Sequence, residues 1–199
     1  MGGSYLSEAA IFLIDILLGL YLIAILLRFL LQRIKADYYN PVSQLLVTVT
    51  NPLMRPLRRW IPGYLGIDWS SILLLLLIQG MELGLIALLR TGHTPSMAGL
   101  AVMTFAHLLR LAVYLYLFLI LIQVVLSWVN PSAYNPVTVL IYQLTEPLLR
   151  PARRAIPPAG GLDWSPLVVL IGLNLILILV VTPLLDWGNY LAGYLVRPL

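Results

Sequence analysis

The passage "NPLMRPLRRWIPGYLGIDWS" at residues 51–70 returns 95 positions later as "EPLLRPARRAIPPAGGLDWS" at residues 146–165. From Asn40/Asn135 to Ser70/Ser165 the two stretches align without a gap. They share Pro41/Pro136, Pro52/Pro147, Arg55/Arg150, Pro56/Pro151, Arg58/Arg153, Arg59/Arg154, Pro62/Pro157, Asp68/Asp163 and Trp69/Trp164. The same offset carries outward, pairing Tyr21 with Tyr116 and Gln79 with Asn174. An ungapped repeat of this length makes the chain two copies of one unit, and any fold must accommodate both.

The medium of that fold follows from composition. Of 199 residues, 61% are apolar and 10% are charged, whereas soluble domains carry roughly 25% charged residues. Runs at about 9–31, 69–89, 106–129 and 164–185 approach the ~20 apolar residues that cross a bilayer. Residues 97–105 lead into the third run with mixed polarity, as a helix extension or an interfacial segment. The expected fold class is therefore an all-α membrane protein of four transmembrane helices. It divides into a first repeat, 1–95, and a second, 96–199. No Lys or Arg precedes the first apolar run and Glu8 stands in its place, so an uncleaved first span is expected.

A unit of two spans returns to its starting side, so the copies run parallel, related by a pseudo-twofold axis along the membrane normal. Arg33, Lys35, Arg55, Arg58 and Arg59 follow span one, and Arg150, Arg153 and Arg154 follow span three. The opposite side offers Arg90, Arg197 and Arg110. Positive loops favour the cytoplasm, which puts both basic loops inside and both termini outside. Trp69, Trp128, Trp164 and Trp187 fall where an aromatic belt belongs.

Each basic loop reads as an elbow, at 40–62 and 135–157. Asn40 caps and Pro41 suits the first helical position. Val42, Leu45, Leu46, Val49, Leu53, Leu57 and Trp60 then recur at helical spacing, with Arg55, Arg58 and Arg59 largely on the other side. Such a segment is expected to lie in the interface as an amphipathic helix. Pro52 is expected to begin a second, angled piece and Pro62 to end it. Ser70 and Ser165 are expected to cap the following spans. Arg55, Arg58, Arg59, Arg150, Arg153 and Arg154 form a candidate clasp, either for anionic headgroups at about 1 kcal/mol per basic residue or for another membrane protein.

The second copy, "NPVTVLIYQLTEPLLRPARRAIPPAGGLDWSP", resembles the signature of the YggT family, and "YYNPVSQLLVTVTNPLMRPLRRWIP" resembles its more divergent first copy. The copies differ at Asn51/Glu146 and Trp60/Ala155. The resemblance covers nearly the whole chain and implies a bacterial inner-membrane protein with no established enzymatic activity. It also implies links to osmotic or salt tolerance, to cell division and nucleoid organisation, and, in chloroplasts, to haem attachment on a b-type cytochrome subunit.

Ionisable and polar residues inside the spans need partners. Asp15 maps by the repeat onto Arg110, and a bridge between them would join the halves. Arg28 maps onto Gln123, and Gln79 onto Asn174, so these pairs could line one polar seam. Glu82, one turn after Gln79, is the candidate for proton or cation handling. Ordinary interhelical packing is the competing reading for all of these. Gly80 and Gly84 fit the GxxxG contact pattern.

Chemistry is otherwise sparse. Cysteine is absent and histidine occurs at His93 and His107 alone, each read as a stray interfacial side chain. No zinc spacing, nucleophile constellation or phosphate loop is present, so neither catalysis nor a cofactor or metal is expected. The basicity belongs to the membrane side rather than to nucleic acid. Three functions remain: a scaffold or assembly factor for membrane complexes or division; cation transport or osmotic support as a homo-oligomer; and a haem or cytochrome assembly helper.

Overall fold

The computed structural model describes residues 5–61, 63–64, 66–129, 135–156 and 163–194. Among these, seven α-helices follow in order: α1 (Tyr5–Arg33), α2 (Pro41–Trp60), α3 (Trp69–Thr91), α4 (Met97–Val129), α5 (Pro136–Ala155), α6 (Ser165–Ile176) and α7 (Thr182–Leu191). A π-helical turn, Leu177–Val181, joins α6 to α7. Four helices are long and apolar enough to cross a membrane: α1, α3, α4 and the combined Ser165–Leu191. Residues 97–105 extend α4 without a break.

Local chemistry sets the ends. Asn40 Oδ1 accepts the Val42 amide at 2.9 Å, with Pro41 opening α2. Asn135 repeats the cap and adds the Thr138 amide, also at 2.9 Å. The expected serine caps are displaced. Asp68 occupies the cap position of α3 and accepts the Ser71 hydroxyl at 2.9 Å. Ser70 lies inside the first turn and donates instead to the Ile61 carbonyl at 2.6 Å, tying the elbow's end to the next span. Ser165 is the first residue of α6, its amide bonded to Asp163 Oδ1 at 2.9 Å.

The prolines do not divide the elbows. α2 runs through Pro52 and Pro56, and α5 through Pro147 and Pro151, as single helices. Each proline removes an amide donor and crowds the carbonyl four residues back. Here all four prolines are exposed, as are Thr48 and Gln143, whose carbonyls lose partners, so water or headgroups can replace the missing bonds. Pro62, Pro157 and Arg197 lie outside the described residues. The apolar face of α2 also splits. Val42, Leu46 and Leu57 turn to the bundle with Met54, while Leu45, Val49, Leu53 and Trp60 stay exposed.

Within each unit the spans pair closely, α1 with α3 and α4 with α6–α7, and each elbow packs beneath its own unit. Asn40 Nδ2 donates to the Pro136 carbonyl at 2.7 Å, so both elbows begin side by side at the same end of the bundle. This confirms that the repeats run parallel. Between units the pairing is lopsided: α3 packs on α4, whereas among the described residues α1 makes no contact with α6–α7. The central cluster draws on α1 through Leu22, Ile25 and Leu26, and on α3 through Leu74 and Ile78. Leu115 and Leu119 of α4 join them, with Leu140, Ile141 and Leu144 of α5.

Lipid is as apolar as leucine, so close packing and polar bonds, rather than water avoidance, hold such helices together. The tightest seam is α4 on α7. A Cβ placed on Gly99 would sit 2.5 Å from Ala192 Cα, and one on Gly188 would sit 2.7 Å from Met103 Cγ. Ser96 Oγ bonds the Leu191 carbonyl at 2.7 Å alongside. Of the GxxxG pair, Gly80 faces Thr104 of α4, with a Cβ there 3.4 Å from its hydroxyl, but Gly84 meets nothing within 4 Å. The π turn has a cause as well. Pro183 offers no amide to the Leu179 carbonyl, and the Thr182 amide reaches back five residues to Leu177.

Candidate functional site

Two polar regions stand out, one at each end of the bundle. At the elbow end, the repeat reappears as paired latches. Arg28 of α1 is buried and its Nη1 donates to Thr50 Oγ1 at 2.5 Å, with the Val47 carbonyl at 3.5 Å. At the equivalent place Gln123 of α4 accepts the buried Thr145 hydroxyl. Arg28 and Gln123 therefore do not line a common seam between the units. Each fastens a span to its own elbow. Thr50 and Thr145 are absent from the sequence-derived candidates, although their identity at the repeat offset is the available signal.

A second latch closes each elbow onto the following span. Arg58 pairs with Asp68, which is 3% exposed, and also donates to Gln32 Oε1 at 3.0 Å. Arg153 donates from Nε to Asp163 Oδ2 at 3.0 Å, but that carboxylate is 40% exposed. Here Glu146 adds what Asn51 cannot, accepting Arg153 Nη1 at 2.8 Å and Arg150 Nε at 3.3 Å. Burial raises the Asp163 pKa, but the Ser165 and Arg153 hydrogen bonds outweigh it and hold the carboxyl below its ordinary 3.8. Arg55, Arg59 and Arg154 are exposed and make no salt bridge among the described residues.

The latches differ in charge, which makes a comparison within one molecule. Thr50→Val is expected to destabilise by about 1.5–3 kcal/mol, because a buried guanidinium loses its acceptor, against roughly 0.5–1.5 kcal/mol for Thr145→Val. Unfolding in detergent measures both. Equal losses would mean that Arg28 takes nothing special from Thr50.

At the opposite end a cavity of about 660 Å³ opens between α1, α3 and α4, with Asn189 and Tyr194 at its edge. Asp15, Gln79, Glu82, His107 and Arg110 all line it. Glu82 is buried, accepts Gln79 Nε2 at 3.2 Å, and lies within hydrogen-bonding reach of Asp15. The expected Asp15–Arg110 bridge is not formed. Arg110 Nη2 instead meets His107 Nδ1 at 3.1 Å, one turn away on its own helix. Sequence spacing equates the depths of Asp15 and Arg110 but leaves their rotation about the helix axes open, and the α1–α3 packing turns Asp15 towards Glu82. His107 is thus part of the cavity rather than a stray interfacial side chain, while His93 is exposed in the loop. Asn174 does not join Gln79. It is exposed, and its amide bonds the Leu170 carbonyl of its own helix at 2.8 Å. Among the described residues no three His, Cys, Asp or Glu side chains gather as a metal site.

Four spanning helices, built as two units that each carry a basic elbow latched to its neighbours, define a small multi-pass membrane protein of duplicated architecture. The chain belongs to the CCB3/YggT family, which it matches over residues 7–89 and again over 102–184, one match per unit. It is 43% identical over 180 residues to an uncharacterised protein of Pseudomonas aeruginosa, covering 90% of this chain and 91% of that one. An uncharacterised protein of Vibrio alginolyticus encoded in the proC 3′ region is 35% identical over 189 residues, covering 94% and 95%. The uncharacterised protein YggT of Escherichia coli K12 is 34% identical over 182 residues, covering 90% and 93%. No solved structure matches the chain.

Proposed function

We propose that this protein is a non-enzymatic scaffold or assembly factor of the bacterial inner membrane, with its elbows on the cytoplasmic face and its termini outside. The observation that carries this reading is the construction of the elbows. Two helices begin side by side at Asn40 and Pro136, each is latched at its middle and near its C-terminal end to the spans, and together they hold Arg59 and Arg154 outward with no salt bridge among the described residues. Trp60 is 86% exposed at the end of α2. Arginine and tryptophan are enriched at the energetic centres of protein interfaces. The exposed stripe of Leu45, Val49 and Leu53 suits an amphipathic helix resting in the interface, with the arginines turned to headgroups or a partner. The duplicated basic loops support the cytoplasmic placement.

A second reading rests on the cavity. Asp15 and Glu82 are two carboxyl groups facing one cavity beside an arginine and a histidine, in a space large enough for water. This is the chemistry of a proton or cation path, to which osmotic support could attach.

One pair of experiments separates the two. Photo-crosslinking residues placed at Arg59 and Arg154 in native membranes are expected to give a discrete protein adduct, lost in an Arg59→Glu/Arg154→Glu variant. Liposomes holding the purified protein are expected to show no potassium or proton flux. A flux that Glu82→Gln abolishes would overturn the scaffold reading in favour of transport.

A further inference from the structure

A cavity of about 550 Å³ lies between α1 and α2 at the elbow end, and its lining is unbalanced in charge. Arg28, Lys35, Arg55 and Arg58 all face it, together with Ser43 and Asn51, and no Asp or Glu among the described residues lines it. We propose that this cavity binds a phosphate group, with the phosphate of an anionic lipid headgroup or free inorganic phosphate as its two sources. The proposal stands apart from the scaffold reading, since the cavity would hold its anion whether or not a protein docks on the elbows.

Comparison of the two units is the main argument. In the second elbow Arg150 and Arg153 both donate to Glu146, at 3.3 and 2.8 Å, so that unit carries its anion within itself. The residue at the same place in the first elbow is Asn51. Arg55, which matches Arg150, consequently has no salt bridge among the described residues, and Arg58 has Asp68 alone. The difference deepens along α1, where Arg28 stands at the position that α4 fills with neutral Gln123. Arg28 is 6% exposed and its hydrogen-bond partners are a hydroxyl and a carbonyl, both uncharged. The carboxylate within electrostatic reach of Arg28 is Asp68, which Arg58 already holds; a buried cation so weakly compensated is costly, and an anion that enters beside it recovers much of that cost. Arginine forks also match tetrahedral phosphate oxygens, and such charge-assisted bonds are the strong ones.

An independent observation points the same way. Ser43 is 7% exposed, lines the cavity, and its Oγ has no hydrogen-bond partner. A buried hydroxyl left unpaired costs free energy, and a phosphate oxygen would satisfy it. The location suits a lipid too: the cavity sits where α1 ends at Arg33 and the backbone turns through Lys35, at φ 55°, into the elbow, so a bound headgroup would be at the level of its neighbours in the leaflet.

Native mass spectrometry of the full-length purified protein tests this with two probes offered separately, phosphatidylglycerol and inorganic phosphate, and phosphatidylcholine as the neutral comparison. The expected result is one phosphatidylglycerol retained per chain in preference to phosphatidylcholine. Asn51→Glu transplants the second unit's carboxylate onto an exposed helix that already places arginines at the right spacing, so it should fold. It is expected to lower phosphatidylglycerol affinity about tenfold or more, as Arg55 becomes engaged internally and Arg58 gains a second carboxylate. Arg90→Gln, which removes an exposed cation at the opposite end of the bundle, should leave binding unchanged. Saturable 1:1 uptake of inorganic phosphate that Asn51→Glu abolishes, with no lipid preference, would assign the same site to a free anion. Equal retention of both lipids with no phosphate uptake, or binding indifferent to Asn51→Glu, would overturn the proposal.

Discussion

Gly99→Leu is expected to pry α7 from α4 and to destabilise the protein by roughly 3 kcal/mol or more, near the upper end for overpacking a tight contact. The obstacle is backbone. Any side chain at Gly99 begins 2.5 Å from Ala192 Cα, and no rotamer change of a neighbour can relieve that. Its counterpart is Gly84→Leu, at a glycine with nothing within 4 Å of the added carbon, where the change should stay within about 0.5 kcal/mol. Unfolding of both variants by denaturing detergent, followed by helix signal or by accessibility of a cysteine placed in α7, gives the comparison. Equal stability of the two variants would mean that α7 does not dock on α4 as described. The contrast also bears on motif reading, because the GxxxG pattern nominates Gly84 and passes over Gly99.

The second large effect is expected at the elbow latches. Asp68→Ala should cost about 2–3 kcal/mol, since it strands the half-exposed Arg58 and the buried Ser71 hydroxyl together. Asp163→Ala should cost no more than about 1 kcal/mol, because both partners there are open to solvent and Glu146 still holds Arg153. Acid should weaken the second latch. A carboxyl held below 3.8 in the folded protein stabilises it above that value, and the contribution fades as pH falls through the lower folded value. Loosening of the second elbow below about pH 3.8, read by limited proteolysis at low pH, is therefore expected in the native chain and absent in Asp163→Ala. A larger loss at Asp163 than at Asp68 would contradict the burial on which the argument rests.

Much of this architecture is written in short-range patterns. The unbroken apolar runs set four spans, and the 95-residue offset sets two parallel units. Asn-Pro pairs place both elbow starts because a side-chain cap and a proline act within one turn. The prolines at 52 and 147 mislead for the same reason: their local rule predicts a break, but exposed carbonyls with outside partners remove the penalty. The arginine clasp is likewise visible as a set, though not its division into latching Arg58 and Arg153 and outward Arg59 and Arg154.

What the chain determines alone is therefore its number of crossings, its duplication, its helix starts and the side of the bundle that holds its basic residues. Tertiary structure alone decides that α3 meets α4 while α1 leaves the described residues of α6–α7 untouched, that Asp15 turns to Glu82 rather than Arg110, and that Arg28 fastens to Thr50. The physical reason is the solvent. In hydrocarbon every apolar helix face is equally at home, so hydrophobicity cannot choose which faces meet. That choice falls to a glycine that admits a neighbour's backbone and to a few polar groups that must find partners across the bundle, and both depend on rotations that no local pattern records.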